Sequence, residues 1–302
     1  MARIAFVFSG QGDQYAGMGK SLYDNHVRAN EVFKELEKIR PNTLKQCFEG
    51  SDEELKQTQN TQPCLFAMEM AGAEVLKEAG IVPQAVAGFS LGEVVALSFA
   101  GFTTIEDGFK IVCKRGEIMR QEAEKCETSM VAVVKLGAEE VKKIASNYQN
   151  VYPVNFNCPG QISVAGSNEQ IVKFSDDVKL AGGRALPLKV KGAFHSPYME
   201  NASKEFAKVI EEFSFAKPQI ELYSNYTAEP YGENVKELLS KQICNPVLWE
   251  DIIRNMIAQG IDTFIEIGPA KTLCNMIAKI NGEVKTYSIS NIEQILLEVK
   301  ND

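Results

Sequence analysis

Ala85-Val86-Ala87-Gly88-Phe89-Ser90-Leu91-Gly92-Glu93 is the stretch from which the rest of the chain can be read. A short apolar run reaches Gly88, a serine stands between two glycines, and a helical pattern follows at once and stops at Gly101. This is G-x-S-x-G in a strand–turn–helix setting, the arrangement that exposes a nucleophilic serine on a sharp turn. A Cβ at Gly88 or Gly92 would crowd a backbone that must hold Ser90 in a strained conformation. The helix that opens at Leu91 would aim free N–H groups and a positive dipole end at an oxyanion beside Ser90. Taken without its setting, the same run also reads as a glycine-rich turn that contains a serine.

A nucleophilic serine needs a base, and the chain holds two histidines, His26 and His195. His26 lies in a polar stretch that reads as a helix end or loop. His195 follows Gly192-Ala193-Phe194 and precedes Ser196-Pro197, which read as the N-cap and first residue of a helix. The apolar face of that helix is expected at Met199, Phe206, Val209, Ile210 and Phe213. His195 is thus fixed at a loop–helix junction and is the better placed base.

The 302 residues can form one large domain or two. A hydrophobic share of 45% with 24% charged residues is ordinary for a water-soluble globular chain. No apolar run approaches the roughly 20 residues that span a bilayer. The opening residues read as a first strand, too short for a signal peptide. Seven cysteines without paired spacing predict reduced thiols and a cytoplasmic location, and no Cys/His cluster has metal-ligand spacing. A net charge of −8 argues against nucleic acid or an anionic membrane as partner.

Strands at 3–8 and 85–88 alternate with helices at about 64–79, 91–100 and 104–124, which predicts an α/β layer with a parallel sheet. The rhythm then changes. Strands at 130–136, 151–156, 162–165 and 185–190 and helices at 138–146 and 169–180 give the order βαββαβ of a ferredoxin-like unit. The body resumes with strands at 220–223, 263–267 and 285–289 and helices at 235–243, 247–259 and 271–280. The expected division is a large α/β body, residues 1–127 and 192–302, with a subdomain inserted at 128–191. The cleft between them, at strand C-terminal ends, is where a ligand would lie.

Separate motifs, in collinear order, resemble one family. Phe6-Val7-Phe8-Ser9-Gly10-Gln11-Gly12-Asp13-Gln14 is similar to its opening F-P-G-Q-G-x-Q, and Thr61-Gln62-Pro63 to its T-Q-P. Gly88 to Glu93 resembles G-H-S-L-G-E, and Pro153 to Gln161 resembles P-V-N-x-N-S-P-G-Q. Asn245-Pro246-Val247-Leu248-Trp249 and Glu266-Ile267-Gly268-Pro269 are similar to N-P-V-x-W and E-x-G-P. The chain resembles the malonyl-CoA:acyl-carrier-protein transacylases, whose fold is an α/β-hydrolase-like body with a ferredoxin-like insert.

The resemblance implies transfer of malonyl from malonyl-CoA to the phosphopantetheine thiol of acyl carrier protein, in fatty-acid biosynthesis. Ser90 would attack the thioester and His195 would take its proton, oriented by the backbone carbonyl of Gln242. The N–H groups of Gln11 and Leu91 would form the oxyanion hole. Arg115 would bind the malonyl carboxylate; from the residues alone, Lys114, Arg115 and Arg120 pass equally as surface charges. Met119, Gln62, Asn157 and Phe194 would line the substrate site, with Phe194 disfavouring an α-methyl branch. No metal or organic cofactor is implied, and coenzyme A enters as substrate. Arg184, Lys189, Lys191 and Lys271 are candidates for meeting an acidic carrier. Departures are Phe89 for the family His, Ser9 for Pro and Cys158 for Ser. A trans-acting acyltransferase of a polyketide assembly line, an acyl hydrolase on the same dyad, and a non-catalytic carrier-binding protein are the competing readings.

Overall fold

A computed structural model describes residues 2–299. The outermost residues of the body's two segments, 1 and 300–302, lie outside the described residues. The first part of the body runs β1 (Ile4–Phe8), α1 (Lys20–Asn25), α2 (Val27–Ile39), α3 (Thr43–Glu49), α4 (Asp52–Leu55), α5 (Thr58–Glu78), β2 (Ala85–Gly88), α6 (Leu91–Phe99) and α7 (Ile105–Ala123). Then come β3 (Thr128–Val134), α8 (Ala138–Ala145), β4 (Val151–Cys158), β5 (Gln161–Ser167), α9 (Asn168–Leu180) and β6 (Arg184–Pro187). The chain returns through α10 (Glu200–Ile210), β7 (Glu221–Tyr223), α11 (Val235–Cys244), α12 (Trp249–Ala258), β8 (Thr263–Ile267), α13 (Thr272–Ile280), β9 (Lys285–Ser288) and α14 (Ile292–Glu298).

The body sheet has the order β7-β2-β1-β8-β9, and every pairing in it is parallel. A parallel sheet is covered on both faces, so its central strands are apolar throughout. β1 and β8 are buried at every position, as Ile-Ala-Phe-Val-Phe and Thr-Phe-Ile-Glu-Ile require. The order places the C-terminal ends of β7, β2 and β1 side by side, with Ala87 opposite Tyr223 and Gly88 opposite Phe8. The loops that leave those ends therefore meet along one edge.

β3 to β6 form a separate antiparallel sheet of order β4-β5-β3-β6, which with α8 and α9 gives the ferredoxin-like arrangement. Val131, Val133, Val141, Ile162, Phe174 and Val178 belong to a core of its own. β4 is tied to the body, because Val247 N–H donates to the Val154 carbonyl at 2.8 Å and Phe156 N–H donates to Val247 at 2.9 Å.

Element boundaries differ from expectation in four elements. The helix expected at 64–79 begins at Thr58 and carries Pro63 inside it. A proline there costs one intrahelical bond, and the buried apolar residues that follow hold the helix together. The helix after His195 opens as a 3-10 turn, Pro197–Met199, with the Ser196 hydroxyl accepting from Tyr198 N–H. α10 ends at Ile210, so Phe213 packs from the turn beyond it. The strand expected at 185–190 stops at Pro187, and α12 starts at Trp249 because Val247 is paired with β4.

Candidate active site

Ser90 caps the start of α6 with φ 56° and ψ −104°, a region that a residue with a Cβ enters only under constraint. The constraint is steric. A Cβ on Gly88 would stand 1.9 Å from the Gly92 carbonyl carbon, and one on Gly92 would stand 2.4 Å from the Phe8 oxygen. Strand, turn and helix thus interpenetrate at contacts that only glycine permits. Asn225, two residues past β7, closes the turn: its Oδ1 accepts from Ser90 N–H at 2.7 Å and its Nδ2 donates to the Gly88 carbonyl at 2.6 Å. The N–H groups of Leu91 and Gln11 have no acceptor among the described residues.

His195 also has a positive φ, 60°, and is buried. Its Nδ1 lies 2.8 Å from the Gln242 carbonyl and its Nε2 lies 2.7 Å from Ser90 Oγ. A carbonyl only accepts, so Nδ1 carries the proton and Nε2 offers a lone pair to the serine hydroxyl. Burial, reinforced by the nearby Arg115 charge, pushes the imidazole down to about 4. His195 is therefore neutral at pH 7 and able to take a proton. His26 stands between α1 and α2 and takes no part in this cluster.

Arg115 is 1% exposed, on the inner face of α7. α7 comes close to α5 at Gly116, where a Cβ would stand 3.0 Å from the Thr58 oxygen. That approach lets Arg115 Nη1 donate to Gln62 Oε1 at 2.9 Å. Nη2 donates to Gln242 Oε1 at 2.7 Å and to Ser90 Oγ at 3.2 Å. Its Nε is buried without a hydrogen-bond partner among the described residues. No carboxylate among the described residues forms an ion pair with it. Burial lowers the guanidinium to about 10, opposed by the charge of Glu93, so it keeps its charge at neutral pH. A buried cation with spare donors, beside a serine and a neutral histidine, suits an anionic acyl group.

The other expected site residues divide. Met119 is buried, and its sulfur receives Gln62 Nε2 at 3.6 Å. Phe194 is buried directly before His195. Gln11 borders a cavity of about 430 Å³ lined also by Leu55, Pro187, Leu188 and Lys189, between the body and the end of the insert. Asn157 is buried on β4, where its Nδ2 meets Ser163 Oγ at 3.4 Å; no hydrogen bond joins it to the serine cluster. Lys189 and Lys191 line a larger cleft of about 1060 Å³ together with Lys56, Arg120, Glu53 and Glu124. Arg184 and Lys271 line neither cavity. Phe89 packs edge-on against the buried Trp249, with ring centres 5.6 Å apart, which explains an apolar ring at that position. Ser9, which replaces a proline, gives its hydroxyl to the buried Glu69. Cys158 is buried, and burial raises its thiol, so it lacks thiolate character.

Three residues escaped the sequence reading. Asn225 and Tyr231 come from the segment after β7, and Glu93 belongs to the quoted motif but had no role. The one available signal was an acid in an otherwise apolar helical run, Leu91 to Ala100.

The family model for the acyl transferase domain matches residues 5–292. The chain is 38% identical to the malonyl CoA-acyl carrier protein transacylase of Bacillus subtilis, over 99% of this chain and 97% of that one. It is 35% identical to the protein of that name from Staphylococcus aureus, over 98% of each. Among solved structures, the Clostridium perfringens malonyl CoA-acyl carrier protein transacylase superposes with a TM-score of 0.96 at 35% identity, covering 99% of this chain and 98% of that one. A malonyl-transacylase in complex with a type II PKS acyl-carrier protein gives a TM-score of 0.96 at 30% identity, covering 100% of both chains. A serine elbow beside a neutral histidine, a buried guanidinium and this sheet order thus agree with full-length likeness, and the chain belongs to the acyl transferase family, among the malonyl CoA-acyl carrier protein transacylases.

Proposed function

We propose that this protein moves a malonyl group from malonyl-CoA to the phosphopantetheine thiol of an acyl carrier protein, as a step of fatty-acid biosynthesis in the cytoplasm. The observation that carries the substrate choice is Arg115, charged, buried and without an ion-pair partner among the described residues, 3.2 Å from Ser90 Oγ. The malonyl carboxylate would supply its counter-ion, as two parallel hydrogen bonds to the guanidinium fork. Gln62 and Gln242 hold the fork, and Met119 and Phe194 would bound the acyl chain.

In the first half-reaction Ser90 Oγ bonds to the thioester carbon as its proton passes to His195 Nε2. Negative charge moves to the carbonyl oxygen, which the Gln11 and Leu91 N–H groups would receive. Collapse breaks the C–S bond, and the departing thiolate takes the proton from His195. The second half-reaction is the reverse with a new thiol: the carrier's S–H gives its proton to His195, sulfur attacks the malonyl ester, and Ser90 recovers its proton. The Gln242 carbonyl stabilises the transient imidazolium in both. No step in this scheme calls for a cofactor; coenzyme A is the donor's carrier. The carrier's arm would enter beside Gln11 and Lys189.

The test is acyl selectivity. For wild type, transfer of malonyl to a holo-carrier should far exceed transfer of acetyl. Arg115→Ala should lower malonyl kcat/KM by about 100-fold or more while leaving acetyl transfer unchanged or higher, because the lost charge-assisted pair serves only the carboxylate. Equal losses for both acyl groups would contradict the assignment.

A further inference from the structure

Glu93 lies within the apolar sequence of α6 and is fully buried. Three donors converge on its carboxylate. The Tyr231 hydroxyl donates to Oε1 at 2.5 Å, Asn225 N–H donates to Oε1 at 3.2 Å, and Gln242 Nε2 donates to Oε2 at 2.7 Å. The same Gln242 Nε2 donates to the Ser90 carbonyl at 2.6 Å, and Gln242 Oε1 accepts from Arg115 at 2.7 Å. A glutamine amide turned by half a rotation would set its NH₂ against the guanidinium, donor against donor. Glu93, the Ser90 carbonyl and, at the longer distance of 3.5 Å, Asn225 Oδ1 are the acceptors that forbid this rotation, and Glu93 is the charged one. The backbone carbonyl that orients His195 belongs to the same Gln242, but α11 fixes it independently of the amide.

We propose that Glu93 is a positioning residue: it locks the Gln242 amide so that Oε1 faces Arg115, and thereby aims the guanidinium at the acyl carboxylate. The proposal rests on the malonyl-transfer reading. It makes Gln242 a two-sided part, with a main chain serving the histidine and a side chain serving the arginine. Only a carboxylate suits the site of Glu93. A glutamine there has one acceptor oxygen and cannot receive both Asn225 N–H and Gln242 Nε2.

The groups facing Glu93 are Arg115 from α7, Tyr231 and Asn225 from the segment after β7, and Gln242 from α11, with neutral His195 beyond Arg115. Burial drives the Glu93 carboxyl up to about 7, against the bonds from Tyr231, Gln242 and Asn225 and the charge of Arg115. Its protonation below that pH adds a donor where three already point and weakens the hold on the Gln242 amide, leaving the Ser90 carbonyl as its near acceptor. His195 stays neutral down to about 4, so it does not set the first acid limb.

The experiment is a pH series of malonyl-CoA loading with the full chain, wild type beside Glu93→Gln and Tyr231→Phe. A neutral fluorophosphonate that labels Ser90 without using Arg115 serves as the second readout. Wild type should lose kcat/KM as pH falls through about 7, the value at which Glu93 takes its proton. Glu93→Gln should raise KM for malonyl-CoA about 10- to 100-fold, the scale of a charge-assisted hydrogen bond. It should also abolish the limb near 7, while fluorophosphonate labelling stays within about twofold of wild type. Tyr231→Phe removes one donor that holds Glu93 down, so its limb should move to higher pH with KM near wild type above it. Should Glu93→Gln not fold, that shift decides alone. Unchanged KM and an unmoved limb in Glu93→Gln, or an unmoved limb in Tyr231→Phe, would overturn the proposal. A wild-type chain that forms no malonyl ester would instead overturn the functional reading.

Discussion

Asn225 holds the elbow by both ends, accepting from Ser90 N–H and donating to the Gly88 carbonyl, and it makes no hydrogen bond to Arg115 or His195. Asn225→Ala strands the buried Gly88 carbonyl, at a cost of about 1–3 kcal/mol when unsatisfied, and the half-buried Ser90 N–H, at a smaller cost. Because those groups set the serine and not the acyl carboxylate, kcat should fall by about 10- to 100-fold with KM little changed, measured by steady-state transfer. At this scale the sequence was legible for some residues only. Ser90 stood out because its turn needs glycine on both sides, and His195 because the chain offers two histidines and one lies in a constrained junction. Arg115 was selected by resemblance, since a helix sequence of Lys114-Arg115-Gly116-Glu117 does not say which charge faces inward. Asn225, Tyr231 and Glu93 were illegible because their contacts join residues 132 to 138 positions apart. No local pattern records such a meeting.

Elements assemble the site by where they end. β7, β2 and β1 are neighbours with the same direction, so Asn225, Ser90 and Gln11 leave the sheet together. α7 adds the arginine at its approach to α5, and the segment before α10 adds the histidine. The elbow's geometry is the least tolerant of change. In Gly88→Ala the new methyl would stand 1.9 Å from backbone atoms that no rotamer can move. The expected cost exceeds about 4 kcal/mol, the range of severe overpacking and backbone strain. The measurement is the urea midpoint, and a midpoint within error of wild type would show that the turn can relax. Strand and helix order was legible from alternating apolar runs. The misplaced ends at Thr58, Ile210 and Trp249 have a common cause: packing against a distant partner extends or stops an element where local propensity would not.

The whole molecule joins a parallel body to an antiparallel insert, with the Val154–Val247–Phe156 bonds fixing one against the other. The change of rhythm near residue 128 made the two kinds of sheet readable, because βαβ units and βαββαβ units space their apolar runs differently. The cleft's shape was not readable, since it depends on how two separately cored layers meet. No helix of the described residues is long and apolar enough to cross a membrane. In the proposed reaction Ser90 carries a malonyl group between two thiols. The deciding measurement is intact mass of the purified chain after mixing with malonyl-CoA, beside Ser90→Ala, and then after adding a holo-carrier. Wild type should gain a single malonyl adduct, Ser90→Ala none, and that adduct should pass to the carrier. A chain that gains no mass, or that releases free malonate instead of loading the carrier, would contradict it.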